Sequence, residues 1–241
     1  MPGPQLAALW EKAEPMPGGR GTARFCIVDG VKAVVKKERR GGFSRHILPD
    51  LFLFRGPFLS EQALADNLKE LGLSPAFLER QFLRTGPLFS VTTLVEYAEN
   101  ARSLADLWRD GLLDGGALKI AGGGVASLHK ARVLHGDLNA GNVLIAPEGS
   151  ALFLDLRHSR RPDKAPSAAS RRKNLLRLAR SLHKLHQTLG LEWPQEVWTD
   201  LALGYAEAWG EKEPWLERWA LRCRRGFPVR SLFWKRLPRS S

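Results

Sequence analysis

The sequence predicts an α+β chain of two lobes, a small β-rich one followed by a larger helical one. Three observations carry this. Short apolar and β-branched runs flank an Asp-Gly pair near the N-terminus. Apolar residues recur at helical spacing through most of the second half. And 241 residues are enough for one large domain or two small lobes with a real core. The divide falls after residue 96, giving lobes 1–96 and 97–241.

Phe25 to Val28 and Val31 to Val35 read as two strands joined at Asp29-Gly30, a pair that tolerates the positive φ of a tight hairpin. Ser60 to Leu71 reads as a helix, with Ser60 as N-cap, Leu64, Leu68 and Leu71 on one stripe, and Gly72 as terminator. Phe89 to Val95 reads as a further strand. Ser103 to Leu113 and Gly115 to Arg132 read as helices, and the Gly122-Gly123-Gly124 triplet inside the second reads as close helix packing rather than a phosphate loop. Val143 to Ile145 and Ala151 to Leu154 form two short strands across Pro147-Glu148-Gly149. Beyond Ser167 the chain turns helical again, with Leu175, Leu178, Leu182 and Leu185 on one stripe.

Lys plus Arg number 37 and Asp plus Glu 25, a formal net charge of +12, which points to an anionic partner without choosing among them. Two cysteines, Cys26 and Cys223, make no disulfide framework, and a reducing compartment is expected. Neither a signal peptide, an apolar run of membrane-spanning length nor an internal repeat is visible. His183 and His186, three apart on a helix, read as ordinary packing residues. Cys26 reads as a small buried apolar residue.

Five features carry chemistry. Gly18-Gly19-Arg20-Gly21-Thr22 opens the first hairpin, and its glycines let backbone amides approach phosphates. Lys36 ends the next strand, where an ammonium group can reach nucleotide phosphates. Alternation puts Lys36 on the face of Val34 and Lys37 on the opposite face with Val35, favouring Lys36 while leaving Lys37 as the alternative. Glu61 is placed to pair with Lys36, or to sit as a first-turn carboxylate favoured by the helix dipole. His135-Gly136-Asp137-Leu138-Asn139-Ala140-Gly141-Asn142 puts an Asp on a loop after a helix and an Asn five residues on, before a strand. The Asp can accept a proton from an attacking hydroxyl, and the Asn can bind a metal ion. Asp155 ends the second short strand, and a hairpin beginning at Asn142 brings the two together as oxygen ligands for Mg²⁺.

At these residues the chain resembles the protein-kinase-like superfamily. HGDLNAGN stands where kinases carry HRDLxxxN, and LDLR stands where they carry the DFG segment. GRGT, VKKERRGG with Arg39-Arg40-Gly41-Gly42, HGDLNAGNVLI and FLDLRHSRR narrow it: the chain resembles the bacterial lipopolysaccharide-core kinases of the 3-deoxy-D-manno-octulosonic acid (Kdo) kinase type, from about Gly18 to His186. The resemblance implies a two-lobed protein-kinase-like fold with ATP between the lobes. Gly19, Arg20, Gly21 and Thr22 would line the phosphates, and the adenine would rest near Glu96, Tyr97 and Ala98. Lys36, oriented by Glu61, would contact phosphates; Asn142 and Asp155 would hold Mg²⁺; Asp137 would act on a sugar hydroxyl.

Two departures stand out. The metal segment reads Asp155-Leu156-Arg157 where the family usually has Asp-Phe-Asp, so Arg157 reverses a charge while Leu156 fills the apolar slot. Gly136 replaces the Arg of protein kinases, which with the absence of an APE sequence argues against a phosphorylation-switched protein kinase. After Glu217 the chain carries no acid but eight cations, among them Arg218, Arg222, Arg224 and Arg225, interleaved with Trp215, Trp219, Phe227, Phe233 and Trp234. That pattern suits an anionic membrane surface bearing a Kdo-lipid A type acceptor, or aromatics packed on the helical lobe with solvated cations. Nucleic acid is not expected. The cytoplasmic face of the inner membrane is the expected location. A heptose kinase, a small atypical protein kinase and an inactive lipid-binding pseudokinase are the rival readings, the last favoured by Arg157.

Overall fold

Asp29 and Gly30 take φ values of 51° and 80° and turn β2 (Ala23–Val28) directly into β3 (Val31–Lys37), the hairpin that the sequence predicts. A computed structural model describes residues 6–16, 22–39, 50–190, 192–193, 196–211 and 213–225. The chain divides into two compact units, Met1–Glu99 and Asn100–Ser241. Tyr97 stays with the first: its N–H donates to the Lys32 carbonyl at 2.9 Å and its ring meets Phe25 edge-on.

The first unit is one antiparallel sheet with a helix on each face. Around the hairpin lie α1 (Leu6–Lys12), β1 (Glu14–Pro15), α2 (Gly56–Glu70), β4 (Phe77–Thr85) and β5 (Leu88–Glu96), and the strand order is β1-β2-β3-β5-β4. Alternation sorts the faces. Ala33, Val35 and Leu94 join Leu6 and Trp10 of α1 and the buried Cys26 in an apolar cluster. Cys26 donates to the Ala33 carbonyl, and burial raises its thiol pKa. On the opposite face Phe58 of α2 packs with Phe52, Phe82, Phe89 and Val91.

The expected helix 60–71 begins earlier than its predicted cap. α2 starts at Gly56 with Pro57 in its first turn, so Ser60 lies inside the helix and caps nothing. Gly72 terminates it with φ 66° as expected. The strand β4 was not anticipated. It is the sheet edge, rich in charge, and its hairpin to β5 turns at Gly86 (φ 61°).

The second unit holds a three-stranded antiparallel sheet, β6 (Arg102–Ser103), β7 (Val143–Ile145) and β8 (Ala151–Phe153). Its helices are α3 (Leu104–Arg109), α4 (Gly115–Lys130), α5 (Ala168–Leu189), α6 (Val197–Trp209) and α7 (Trp215–Arg224). Ser103, Asp114 and Ser167 accept N–H bonds from the first turns of α3, α4 and α5. α3 is shorter than predicted, ending at Arg109 with 112–114 outside any helix. Among the described residues no helix is long and apolar enough to cross a membrane.

Close packing of α4 against α6 explains the glycine triplet. A Cβ at Gly122 would lie 2.1 Å from the Leu201 carbonyl oxygen, and one at Gly204 of α6 would lie 2.0 Å from that of Lys119. Gly124 faces Ala151 and Phe153 of β8. At Gly123 the nearest atoms are 3.6 Å away, ordinary contact. Gly204→Ala therefore costs about 2–3 kcal/mol by forcing the backbones apart, although Ala is the better helix former. Gly123→Ala is neutral or stabilises by up to about 1 kcal/mol. Urea unfolding of the two variants checks the pair; equal effects would overturn the packing argument.

Candidate active site

The loop between α4 and β7 carries Asp137 and Asn142, and its shape follows from how His135 is fixed. His135 is almost fully buried. Its Nδ1 accepts the Asp137 N–H at 3.1 Å, so the ring proton sits on Nε2, which donates to the Leu154 carbonyl at 2.9 Å. Burial lowers its pKa, outweighing the backbone bond and the nearby Asp155 and Asp137, which raise it. A neutral imidazole thus ties the residue before Asp155 to the backbone of Asp137.

The main chain of the loop is held from α5. Asn174 Nδ2 donates to the His135 carbonyl at 2.7 Å, and Asn174 Oδ1 accepts the His135 N–H at 3.2 Å. Arg177 donates to the Gly136 carbonyl, and Ser181 Oγ accepts the Ala140 N–H at 3.0 Å. Asn174, Arg177 and Ser181 lie three and four residues apart, one face of the helix. The sequence reading followed the leucine stripe and missed this polar one, although Asn174 and Ser181 are spaced by two turns.

Asn174 is itself oriented by a buried chain. Its Oδ1 also accepts from His129 Nε2 at 3.1 Å. His129 Nδ1 lies 2.8 Å from the Tyr205 hydroxyl, which donates to it and accepts from Arg171. Arg171 pairs with Glu213 at 2.6 Å, both buried, and stacks on Trp209. Burial pushes His129 down to about 4 and Tyr205 up to about 12, so both are neutral near neutral pH.

Within the loop Asn139 donates to the Asp137 carboxylate at 3.1 Å. Asn142 Nδ2 donates to the Asp137 carbonyl at 2.9 Å, which leaves its carboxamide oxygen as the end for a cation. The Asn142 carbonyl accepts the Leu154 N–H at 3.0 Å, so the β7–β8 hairpin brings Asn142 beside the start of the Asp155 segment, as the sequence predicts. Asp155 has φ 56°, a left-handed conformation that costs a non-glycine residue about 1–2 kcal/mol. Its Oδ1 is buried with no hydrogen-bond partner among the described residues. A buried carboxylate oxygen without a donor among the described residues, on the segment paired with the Asn142 main chain, fits the oxygen-ligand demand of Mg²⁺.

Gly136 has a steric reason. A Cβ there would lie 2.0 Å from the His158 carbonyl, because Leu134 and Arg160 form a bridge that lays the segment after Asp155 against the loop. The arginine of protein kinases has no room at this position. Leu156 is buried in the apolar slot expected of it, and Arg157 is half-buried with a partner of its own.

In the first unit, register places Lys36, Thr93 and Arg80 side by side on adjacent strands of the α2-facing side. Lys36 Nζ is 3.6 Å from Glu38, a carboxylate only 3% exposed that also accepts from Thr93. Arg80 donates to Thr93 at 3.1 Å and pairs with Glu61 at 2.7 Å, both nearly fully buried. Glu61 and Lys36 thus share one network, with Arg80 on Glu61 and Glu38 on Lys36. Lys37 points to the other face, over Trp10 and near Glu11, which separates the two lysines. Glu38 and Arg80 were not anticipated; Glu38 follows by alternation from Lys36, but a strand-end glutamate reads as exposed.

Glu96 ends β5 and accepts the Ala76 N–H, Ala98 is half-buried, and the Thr22 carbonyl accepts the Lys37 N–H at 2.9 Å. Gly19, Arg20, Gly21 and the Arg40-Gly41-Gly42 run lie outside the described residues. His183 and His186 stack among Trp108, Trp193 and Trp198, and His183 bonds the Cys223 carbonyl.

The neutral histidines set a pH dependence. His129 binds a proton near 6.5 when unfolded and near 4 when folded, so the unfolded state holds more protons between those values. Its contribution is present above about pH 6.5 and is lost as pH falls. Unfolding free energy drops by about 1 kcal/mol from this group between about pH 7 and about pH 5.5, with His135 adding the same sign. Denaturant titrations across that range check it. The slope becomes shallower in His129→Gln, and an unchanged slope would remove His129 from the account.

The lipopolysaccharide kinase (Kdo/WaaP) family model matches residues 7–205. A 3-deoxy-D-manno-octulosonic acid kinase of Stenotrophomonas maltophilia is 34% identical over 205 residues, covering 82% of this chain and 81% of that protein. One from Xanthomonas campestris pv. campestris is 32% identical over 215 residues, covering 83% and 82%. A crystal structure of the yeast RNA Pol II CTD kinase CTDK-1 complex is similar over 63% of this chain and 47% of that one, with 18% identity and a TM-score of 0.42. The chain belongs to the lipopolysaccharide kinase (Kdo/WaaP) family, as an ATP-using phosphotransferase that acts on a sugar hydroxyl of the lipopolysaccharide core.

Proposed function

We propose that the chain phosphorylates a hydroxyl of the Kdo sugar in a lipid-linked inner-core acceptor, at the cytoplasmic face of the inner membrane. The acceptor reading rests on relatives named 3-deoxy-D-manno-octulosonic acid kinase at 31–34% identity over more than four-fifths of the chain. The chemical reading rests on one observation: Asp155 Oδ1 is buried with no hydrogen-bond partner among the described residues, in the segment whose Leu154 N–H bonds the Asn142 carbonyl.

Asp137 accepts the proton of the sugar hydroxyl as its oxygen forms the new bond to the γ-phosphorus, and the bond from that phosphorus to ADP breaks. Asn139, donating to the carboxylate, fixes its direction. Asn142 and Asp155 would hold Mg²⁺, which when bound neutralises charge on the phosphates. Lys36 takes nucleotide phosphates, with Glu38 holding its ammonium group in place. The basic residues from Arg218 onward supply contact with the anionic membrane that carries the acceptor.

Phosphate transfer from ATP to Kdo-lipid A, with Mg²⁺ present, tests this. Asp137→Asn lowers kcat by about 10²–10⁴, the usual worth of a general base. Transfer by this variant at the wild-type rate sinks the assignment. In the same assay Glu38→Gln lowers kcat/KM for ATP by roughly tenfold or more through a misplaced Lys36. An unchanged value would remove Glu38 from the phosphate site.

A further inference from the structure

α5 and α7 enclose a pocket of about 240 Å³ that the kinase chemistry does not use. Its lining is ordered by helical spacing. Arg172 and Leu176 are four apart on α5; Trp215, Arg218, Trp219 and Arg222 follow three, one and three apart on α7. Each set occupies one helix face. The floor is aromatic and apolar: Trp219 is 2% exposed and packs edge-on against Trp198, and Trp215 packs against Tyr205. The rim is three exposed guanidinium groups.

Those three arginines differ from their neighbours. Arg171 is paired with Glu213 and Arg224 with Glu196. Among the described residues Arg172, Arg218 and Arg222 belong to no ion pair, and no acidic residue lines the pocket. Three cations around one small cavity repel each other, and an anion there removes that cost while taking up forked hydrogen bonds. The remaining 16 residues of the chain, 226–241, add four cations and no acid, so they do not supply the missing charge. An apolar floor beneath a cationic rim fits a ligand that is anionic at one end and apolar at the other.

We infer that the α5–α7 pocket binds the phosphate headgroup of an anionic membrane lipid, with the lipid's apolar part toward Leu176 and the tryptophans. This rests on the membrane contact proposed above and assigns it to particular residues. It is separate from the transfer chemistry.

Co-sedimentation of the full chain with vesicles, without nucleotide or acceptor, tests it. Vesicles of phosphatidylcholine alone are compared with vesicles also containing phosphatidylglycerol. Three variants each lose three charges: Arg172→Gln with Arg218→Gln and Arg222→Gln at the pocket; Arg230→Gln with Lys235→Gln and Arg236→Gln beyond it; and Lys69→Gln with Arg84→Gln and Lys130→Gln as an exposed remote control. The expected result is binding that requires phosphatidylglycerol, falls about a hundredfold in the pocket variant and changes little in the remote control. Unchanged thermal midpoints confirm that the variants are folded. Retention of binding by the pocket variant with loss in the 230–236 variant overturns the pocket and leaves the membrane reading standing. Absence of vesicle binding by the wild type overturns both, while phosphate transfer to a soluble Kdo acceptor still reports on the kinase reading. Displacement from vesicles by a single-stranded oligonucleotide, with the same arginine dependence, would overturn the lipid in favour of nucleic acid.

Discussion

One carboxamide holds the candidate active site in shape. Asn174 closes both main-chain groups of His135, and His135 in turn ties Asp137 to the segment that carries Asp155. The two Asn174 bonds are buried and the two His135 bonds part-buried, and an unmade buried partner costs about 1–3 kcal/mol. The arrangement therefore tolerates neither a charged imidazole nor a rotated amide. That is why the chain behind it is long: His129, Tyr205, Arg171 and Glu213 fix the amide through tautomer and hydroxyl direction, and only the last pair is ionic. The relay's one charged pair lies at its end farthest from the loop. Asp155 Oδ1 stays without a hydrogen-bond partner among the described residues.

The first unit solves the opposite problem. The phosphate role proposed for Lys36 calls for an oriented side chain on a half-buried sheet face, and a lone carboxylate on a helix gives loose control. Glu38, one residue past the end of β3, is fixed by its N–H bond to the Val91 carbonyl and by Thr93. Arg80 then connects Glu61 of α2 to the same threonine from the neighbouring strand. Buried ion pairs add little net stability but are costly to break singly. A mixed network across β3, β5, β4 and α2 thus acts as a positional constraint more than as a source of stability.

Legibility in the sequence followed the range of the interaction. The β2–β3 hairpin, the Gly72 stop and the pairing of Asn142 with the Asp155 segment all rest on contacts between near neighbours in sequence. Gly122 was read as close packing because a glycine inside a helical period has few other uses. The start of α2 was misplaced because Ser60 resembles a cap, whereas Pro57 one turn earlier carries the start. β4 was missed because an edge strand shows no apolar alternation. Glu38, Arg80 and the Asn174-Arg177-Ser181 stripe were invisible for a different reason. Their partners lie 19 to 55 residues away, and a buried polar side chain looks like an exposed one until the fold brings its partner to it.

α5 links these parts. Its faces are divided by charge environment: Arg171 and Asn174 turn inward to the relay and the loop, while Arg172 and Leu176 turn outward to the α7 pocket. Adjacent arginines on one helix therefore meet opposite fates, Arg171 neutralised by Glu213 and Arg172 unpaired at a cavity rim. The helix runs unbroken for 22 residues, capped by Ser167 and ended by Gly190, through both sets of contacts. The net charge of +12, uninformative as a total, separates on this helix into cations that build the site and cations that await a partner. The pocket proposed for an anionic lipid and the loop that carries Asp137 therefore lie on opposite faces of one continuous helix.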